Sequence, residues 1–548
     1  MKRRRMLQSI PLLGSVSIPT LADAESGEPI QTIYSNDTTH IFSCLRPGVR
    51  TQKSFTDELL AASIREAAEA DAHFLQPGLG WMPWWKSDIY SPAEHYRWLR
   101  ERHDVKGVPH IGQYLLDGGD MLKTLVETCS ELRVKPFLSF RLNDGHHTRD
   151  LSEALKRGRP GVHMSRHYWE NYEAFRIGPD PNNWDDAVFD WAIPEVRNHT
   201  FSLIEEACTN YDIAGLELDF LRHWVRFKAD LPLEKRREIT TEFVSKVRAM
   251  LDKTALLRGL PRRLLCIRVP ANEQIRPDQG IDLASLVEAG VEMINLSHSY
   301  FTWQDDSVAQ ARAETGDSAA IYSEMTHCTM TGKATNGSGT QPYLRTTDEQ
   351  FYTTAQLSYE QGASGMSLFN FPYFRYHVTE EIGPFHEPPF HILANLKDRE
   401  FLEKQTPSYF LSAGRKDRIL GERSLPVIMN RDGPYPFKFQ LSSKMHPKGD
   451  GILRLRSDES ISDRKITVTC GELSLKPVSF IEKPIPHPYD KTWLGTADDT
   501  VCFSLPKEAL EDQSNLTISV QLLAGIRVRL IYLDLTFPEQ QPPAFREV

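Results

Sequence analysis

The sequence has few cysteines, and none of the seven forms a C-x-x-C pair with another. They are Cys44, Cys129, Cys208, Cys266, Cys328, Cys470 and Cys502. Their odd number and wide spacing argue against a disulfide framework and a structural zinc site. Positive charge is also scarce, because 64 lysines and arginines stand against 74 acidic residues. The net charge of −10 argues against nucleic acid as a partner.

Long apolar runs are absent after the first thirty residues, so we predict no membrane span. The amino terminus has basic residues at 2–5, a modest apolar stretch at 6–21 and the small-x-small sequence Ala22-Asp23-Ala24. This order is typical of a bacterial export signal, and residues 3–8 resemble its twin-arginine form. We therefore predict that residues 1–24 are a signal peptide and that the protein is periplasmic or extracellular.

Residues 38–404 alternate short apolar segments with amphipathic ones. Eight segments have the composition of buried strands, namely 41–45, 73–76, 136–142, 213–219, 264–269, 293–297, 320–325 and 365–370. Helical patterns lie between most of them. No G-x-G-x-x-G or P-loop follows the first segment, which argues against a dinucleotide or nucleotide site. Eight β-then-α units predict an α/β fold, a (β/α)₈ barrel over residues 38–404.

The pattern changes after residue 404. Short alternating segments follow one another, separated by Gly, Pro, Asp and Ser. Leu453 and Leu455, for example, alternate with Arg454 and Arg456. This pattern predicts an antiparallel β-sandwich over residues 406–537, followed by a disordered tail over 538–548. The sequence leaves open whether this region binds carbohydrate or supports the barrel.

The segment Ala-Gly-Leu-Glu-Leu-Asp-Phe-Leu-Arg-His at 214–223 is typical of a buried strand that ends in charged residues. Alternate side chains share a face, so Glu217 and Asp219 point one way, and Leu216 and Leu218 point towards covering helices. Two buried acids are costly unless they are paired or lie in a cleft. Barrel active sites lie at the carboxyl ends of the strands, so we predict a site here.

A third acidic residue, Glu324, lies at the end of the seventh predicted strand. Across a barrel mouth, Asp219 and Glu324 can face each other, and two facing carboxylates are the minimum for glycoside cleavage. We predict that they are the catalytic pair, in an order that the sequence leaves open. Glu217 lies one layer deeper, and it either replaces Asp219 in this role or holds Arg268 or Arg141 in place.

Other polar residues near the predicted strand ends are candidates for substrate binding: Arg46, Arg141, Asn143, Asp144, His147, Arg222, His223, Arg268, His298, Tyr300 and Asn370. Several arginines at one mouth could bind sulfate or carboxylate groups, so an anionic polysaccharide is one hypothesis for the substrate. Trp84 and Trp85 lie in a Gly/Pro-rich loop, where they either stack against sugar rings or cover one end of the barrel.

The histidines give little indication of a metal site. Asp144, His146, His147, His223 and His327 could supply mixed oxygen and nitrogen ligands, but they lack the spacing of a metal-binding motif. We therefore predict no metal and no cofactor.

The segment 211–220, with Pro-Glu-Val-Arg upstream at 194–197, resembles bacterial glycoside-hydrolase-like barrels. In these barrels, a P-E-V-R helix start precedes a Y-D-x-D-G-I-x-x-D strand. Here Ala214-Gly215 replaces the usual Asp-Gly, and Leu221 replaces the glutamate of a chitinase-type strand. The departure at Leu221 puts substrate-assisted chitinase chemistry in doubt. The resemblance covers the barrel only and implies a carbohydrate-active enzyme without naming the sugar.

These observations predict an exported glycoside hydrolase that acts on a polysaccharide or oligosaccharide. Two alternatives stay open: a non-catalytic carbohydrate-binding protein on the same scaffold, and a metal-dependent hydrolase or esterase of decorated glycans. A polysaccharide lyase is a lesser alternative, since it needs a Tyr or His base beside a neutralised uronate. The sequence does not determine the oligomeric state.

Overall fold

The computed structural model describes most of the chain beyond the predicted signal peptide. The described residues are 29–42, 54–78, 82–146, 148, 150–331, 343–375, 387–413, 424–457, 461, 465–478, 500–511, 513–525 and 527–537. Segments 1–24 and 538–548, Arg46 and His147 lie outside them. Among the described residues, no helix is long and apolar enough to cross a membrane.

Eight parallel strands close into a barrel, as the sequence predicts. They are β1 (Thr32–Asn36), β2 (Ala72–Leu75), β3 (Lys135–Arg141), β4 (Gly215–Asp219), β5 (Leu264–Pro270), β6 (Met293–Ser297), β7 (Ala320–Thr326) and β8 (Gly365–Phe369). Each strand pairs with the next in the chain, and β1 pairs with β8 to close the ring. Ile33 of β1, for example, lies opposite Ala72 of β2 and Ser367 of β8.

The first strand is not where the sequence predicts it. It spans Thr32–Asn36, while the predicted segment 41–45 begins within the short helix Thr39–Phe42. The barrel therefore starts before residue 38. The pattern of apolar residues misses β1 because its buried positions include Thr32, Ser35 and Asn36. Polar groups of these residues form hydrogen bonds within the protein. The Thr32 N–H, for example, donates to Asp71 at 2.9 Å.

Helices cover the outside of the barrel. They are Thr39–Phe42, Asp57–Glu66, Pro92–His103, His110–Leu116, Met121–Leu132, Leu151–Arg157, Arg166–Phe175, Trp184–Ala187, Pro194–Asn210, Leu233–Arg258, Leu283–Glu288, Ser307–Thr315, Asp348–Glu360, Ile392–Asn395 and Arg399–Glu403. Residues at the first turns determine where these helices begin. Pro194 occupies the first turn of one helix, and Thr347 caps another by accepting a hydrogen bond from the Gln350 N–H. Outward-pointing strand residues such as Leu216 and Leu218 join the core that these helices cover.

The inside of the barrel changes from apolar to polar along the strands. Residues early in the strands form an apolar cluster: Ile33, Ala72, Phe74, Phe137, Cys266, Met293 and Tyr322. In this cluster the rings of Phe74 and Phe137 stack with centroids 4.3 Å apart. Polar and charged side chains follow towards the carboxyl ends, and they form the candidate site.

Two antiparallel sheets follow the barrel, which confirms the predicted β-sandwich. One contains Tyr409–Ser412, Val427–Met429, Gly451–Ser457, Lys476–Val478, Thr500–Leu505 and Val528–Thr536. The other contains Tyr435–Gln440, Ile466–Cys470, Leu473–Ser474 and Asn515–Leu522. Leu453 and Leu533 of the first sheet share one core with Phe437 and Ile518 of the second. Hydrogen bonds connect this region to the barrel helices, as from Gln350 Nε2 to the Tyr532 hydroxyl at 3.0 Å.

Candidate active site

Arg268 on β5 lies between the carboxylates that the sequence predicts as a catalytic pair. Its Nε and Nη2 donate to the two oxygens of Glu324 at 2.6 and 2.7 Å. Its Nη1 lies 3.2 Å from both oxygens of Asp219. Nη2 also donates to Ser297 Oγ at 3.0 Å, and the ring of Phe369 lies 4.0 Å from the guanidinium carbon. The structure thus brings together residues from the ends of β4, β5, β6, β7 and β8.

The shared guanidinium keeps the two carboxylates close to each other. Because a guanidinium is a rigid planar fork, oxygens bound to its different nitrogens lie within about 9 Å of one another. Asp219 and Glu324 are only 2% and 1% exposed. Burial destabilises the charged form of Arg268. The two carboxylates stabilise that form by a larger amount and hold the pKa of Arg268 above its ordinary value. The three groups form a buried ion-paired unit beneath the mouth.

Arg141 at the end of β3 extends this unit towards the mouth. Its guanidinium lies 3.6 Å from Asp219, 3.3 Å from Asp144 and 3.4 Å from Asp37. Burial lowers the stability of the charged form, but the surrounding carboxylates hold the pKa of Arg141 above its ordinary value. Asp37 is a site residue that sequence reasoning misses, because it lies one residue beyond the β1 that the structure reveals.

Glu217 lies one layer deeper, as its position in the sequence predicts, but it does not hold an arginine by a hydrogen bond. It accepts from Ser139 Oγ at 2.6 Å and from Asn295 Nδ2 at 3.2 Å. Burial, together with the charge of Asp219, raises the pKa of Glu217 to about 7. The small polar partners on β3 and β6 were missed because single Ser and Asn residues within apolar strands give no distinct sequence signal.

A second polar chain runs across the mouth from Asp144 to Tyr300. Asp144 Oδ1 accepts from His146 Nδ1 at 2.6 Å, and Arg222 donates to His146 Nε2 at 2.7 Å. Arg222 Nη1 also donates to the Tyr300 hydroxyl at 2.9 Å. Burial lowers the pKa of His146 although Asp144 opposes the shift. His146 therefore connects two predicted binding residues, Asp144 and Arg222. The sequence analysis considers His146 only as a metal ligand.

The remaining predicted residues of the mouth have varied surroundings. His223 packs against the Trp184 ring with centroids 4.5 Å apart. The His298 Nε2 lies 2.8 Å from Asp305 Oδ2. Asn370 follows β8 with a backbone φ of 53°, and its buried amide has no hydrogen-bonding partner among the described residues. A strained backbone and an unpaired buried amide are both costly, and such features cluster at functional sites.

The two tryptophans of the loop after β2 are not exposed. Trp84 is 1% exposed and Trp85 is also buried, so neither offers an open ring face to solvent. Their burial agrees with the second of the two alternatives for this loop, in which the tryptophans cover one end of the barrel. The Trp85 Nε1 donates to Glu206 at 2.9 Å, which holds the loop against the helix Pro194–Asn210.

Trp85 also forms part of the wall of a partly open cavity of about 140 Å³. Arg141, Asn143 and Asp144 line the same cavity. Four of the predicted binding residues therefore surround one space beside the mouth. Because Arg141 also contacts Asp219, this cavity lies one side chain away from the ion-paired unit.

Among the described residues, no group of three or more His, Cys, Asp or Glu side chains is arranged to hold a metal ion. His147, one of the considered ligands, is outside those residues.

Comparison with known proteins finds similarity in structure alone. No family model matches the chain, and no curated protein matches it. Among solved structures, the PgaB glycoside hydrolase domain from Bordetella bronchiseptica has a TM-score of 0.42 at 8% identity, covering 67% of this chain and 99% of that one. A chitinase from Bacillus thuringiensis has a TM-score of 0.39 at 10% identity, covering 93% and 100%.

A third similar structure is a glycoside hydrolase family 18 N-acetylglucosaminidase from Paenibacillus barengoltzii. Its TM-score is 0.35 at 12% identity, and the match covers 67% of this chain and 99% of that one. Similarities of this size do not determine the reaction or the substrate.

Proposed function

We propose that this protein is a glycoside hydrolase whose catalytic carboxylates are Asp219 and Glu324. The observation that carries the proposal is that one guanidinium, Arg268, holds both carboxylates at the carboxyl end of a closed barrel. The separation that this imposes, below about 9 Å, is compatible with the carboxylate spacings of both retaining and inverting glycosidases. A pair of carboxylates in this position can supply a proton to the leaving oxygen and a nucleophile or base on the other side of the sugar.

The contacts of the two carboxylates differ, and this difference supports a proposal for their separate roles. Glu324 is held by two short guanidinium contacts and by the Ser297 hydroxyl. Charge-assisted contacts of this kind fix the orientation of the Glu324 oxygens, which suits a nucleophile or base. The contact of Asp219 with Arg268 is longer, at 3.2 Å, and its shorter contact is with the backbone N–H of Leu221 at 2.8 Å. We therefore assign proton transfer to Asp219, which must exchange its arginine contacts for the leaving oxygen when the substrate binds.

The contacts of Arg222 favour a substrate that carries an anionic group. The described arginines near the strand ends are Arg141, Arg222, Arg268 and Arg375, the last in the turn that follows β8. Of these, Arg141, Arg268 and Arg375 each form an ion pair with a carboxylate. Arg222 instead donates to His146 and Tyr300. Its charge is thus the least neutralised of the four, and a sulfate or uronate carboxylate is the ligand that a guanidinium binds well. We also propose that the protein is exported and is periplasmic or extracellular.

The test is hydrolysis of a panel of neutral, uronic and sulfated glycans by the full chain. New reducing ends indicate hydrolysis, and absorbance of unsaturated products indicates a lyase instead. We expect Asp219→Asn and Glu324→Gln to lower the rate by about 10²- to 10⁴-fold. Glu292→Gln is the matched control, because Glu292 lies at the opposite end of the barrel, next to the start of β6.

Two further measurements separate the assigned roles. Asp219→Asn should retain activity on glycosides with good leaving groups, which need little proton donation. The anomeric configuration of the product separates the two roles of Glu324, since a nucleophile gives retention and a base gives inversion. Full activity of either carboxamide variant would exclude the assigned pair, while glycan binding without product would favour the non-catalytic alternative.

A further inference from the structure

The cavity beside the mouth has a wall that is largely apolar and aromatic. It lies between the segment after β2, the end of β3 and the helix Pro194–Asn210. Its apolar lining includes Met82, Trp85, Phe140, Phe189, Trp191 and Leu203. A volume of about 140 Å³ is close to that of an engineered apolar cavity that binds benzene. The space therefore fits one six-membered ring.

Two histidines give this cavity a polar element. The rings of His167 and His199 stack with centroids 3.8 Å apart, and both line the cavity. Burial lowers the pKa of both, to about 4 for His199, so the stacked pair is neutral near pH 7. The buried Nε2 of His167 has no hydrogen-bonding partner in the described part of the chain. An unpaired buried nitrogen is costly, and a ligand oxygen would satisfy it.

The charged end of the cavity faces the candidate active site. Arg141 and Asp144 line the cavity, and Arg141 also lies 3.6 Å from Asp219. A ring placed in the cavity is thus close to a sugar bound over Asp219.

We propose that this cavity binds a single aryl group that carries an oxygen, such as a phenolic substituent of the glycan substrate. The apolar wall takes the ring, and His167 forms a hydrogen bond with the oxygen. The attachment to a glycan rests on the proposed function, whereas binding of the aryl group itself does not.

The first test is binding of 4-fluorophenol to the full chain, followed by fluorine NMR and calorimetry. Leu203→Phe fills the cavity and should abolish binding, while Leu256→Phe makes the same change at a position that is 82% exposed and should leave binding unchanged. Thr200→Met, at a half-buried position of the lining, is a second filling variant if Leu203→Phe does not fold. No binding to the native protein, or equal binding to folded filling variants, would overturn the proposal.

The second test concerns the histidine. His167→Leu should weaken phenol binding about fivefold to tenfold, the effect of one lost hydrogen bond, and leave benzene binding unchanged. Equal effects on both ligands would contradict the hydrogen bond. Asp219→Asn should still bind 4-fluorophenol. Phenol binding without hydrolysis of any glycan would therefore reject the proposed function alone, and hydrolysis without phenol binding would reject this inference alone.

Discussion

Arg268 contacts Glu324 through two nitrogens, Nε and Nη2, at 2.6 and 2.7 Å. This two-point ion pair crosses from β5 to β7 in the interior of the barrel, and the third nitrogen of the same guanidinium reaches Asp219. The arginine is therefore both a structural link between strands and the shared ion-pair partner of the two proposed catalytic residues.

Replacement of this arginine should be strongly destabilising. Arg268→Met leaves two buried carboxylates without their shared partner, so we expect a loss of about 3 kcal/mol or more in the free energy of unfolding, measured in urea. Arg262 is a matched control, since it also contacts two acids, Asp252 and Glu292, but is half exposed. Arg262→Met should cost less than about 1 kcal/mol. Similar losses in both variants would show that burial does not strengthen the Arg268 unit.

Glu217 should make stability depend on pH. Its pKa is raised from 4.5 to about 7 in the folded protein, so between these values the folded chain holds a proton that the unfolded chain has lost. The contribution of Glu217 to stability is therefore greatest below pH 4.5 and falls as pH rises to 7, by about 3 kcal/mol. Glu217→Gln should remove this part of the slope in urea unfolding at several pH values. An unchanged slope would contradict the raised pKa.

Substitutions of Asn370 should affect protein stability and substrate binding differently. Glycine accepts the positive φ without strain, so Asn370→Gly should be at least as stable as the native protein, and Asn370→Ala less stable than the glycine variant by about 1 kcal/mol. Both variants lose the amide and should raise the KM for glycan. Asp104→Gly is the control, because Asp104 has a φ of 52° at a helix end and should leave KM unchanged. An unaltered KM in both Asn370 variants would remove this residue from the binding site.

Glu206 should hold the tryptophan loop in place. Its carboxylate accepts from Trp85 Nε1 at 2.9 Å and from the backbone N–H of Asp88 and Ile89. Glu206→Ala should cost about 1.5–3 kcal/mol and should speed proteolysis between residues 82 and 91. Glu205→Ala, at the neighbouring position, is the control. Equal cleavage rates in both variants would contradict an anchoring role for Glu206.

Much of the barrel could be predicted from sequence because its strands are unusually apolar. Met293–Ser297 lies where the sequence predicts it, and most other strands differ by one or two residues. Thr32–Asn36 could not be predicted, since its buried positions are polar and are satisfied only by distant groups such as Asp71. The sequence could not decide between the two alternatives for Trp84 and Trp85 for a related reason: a Gly/Pro-rich loop has no periodic pattern, and whether it folds back onto the core depends on contacts such as that with Glu206.

By itself, the sequence determined the order of barrel and sandwich and the positions of Glu217, Asp219 and Glu324 near strand ends, because strand periodicity is a local property. Only the tertiary structure decided the pairing of these acids. The partner of Asp219 and Glu324 is Arg268, whereas Glu217 is bound by the small polar residues Ser139 and Asn295. Such contacts depend on closure of the barrel, which brings together residues that lie tens of positions apart in the chain.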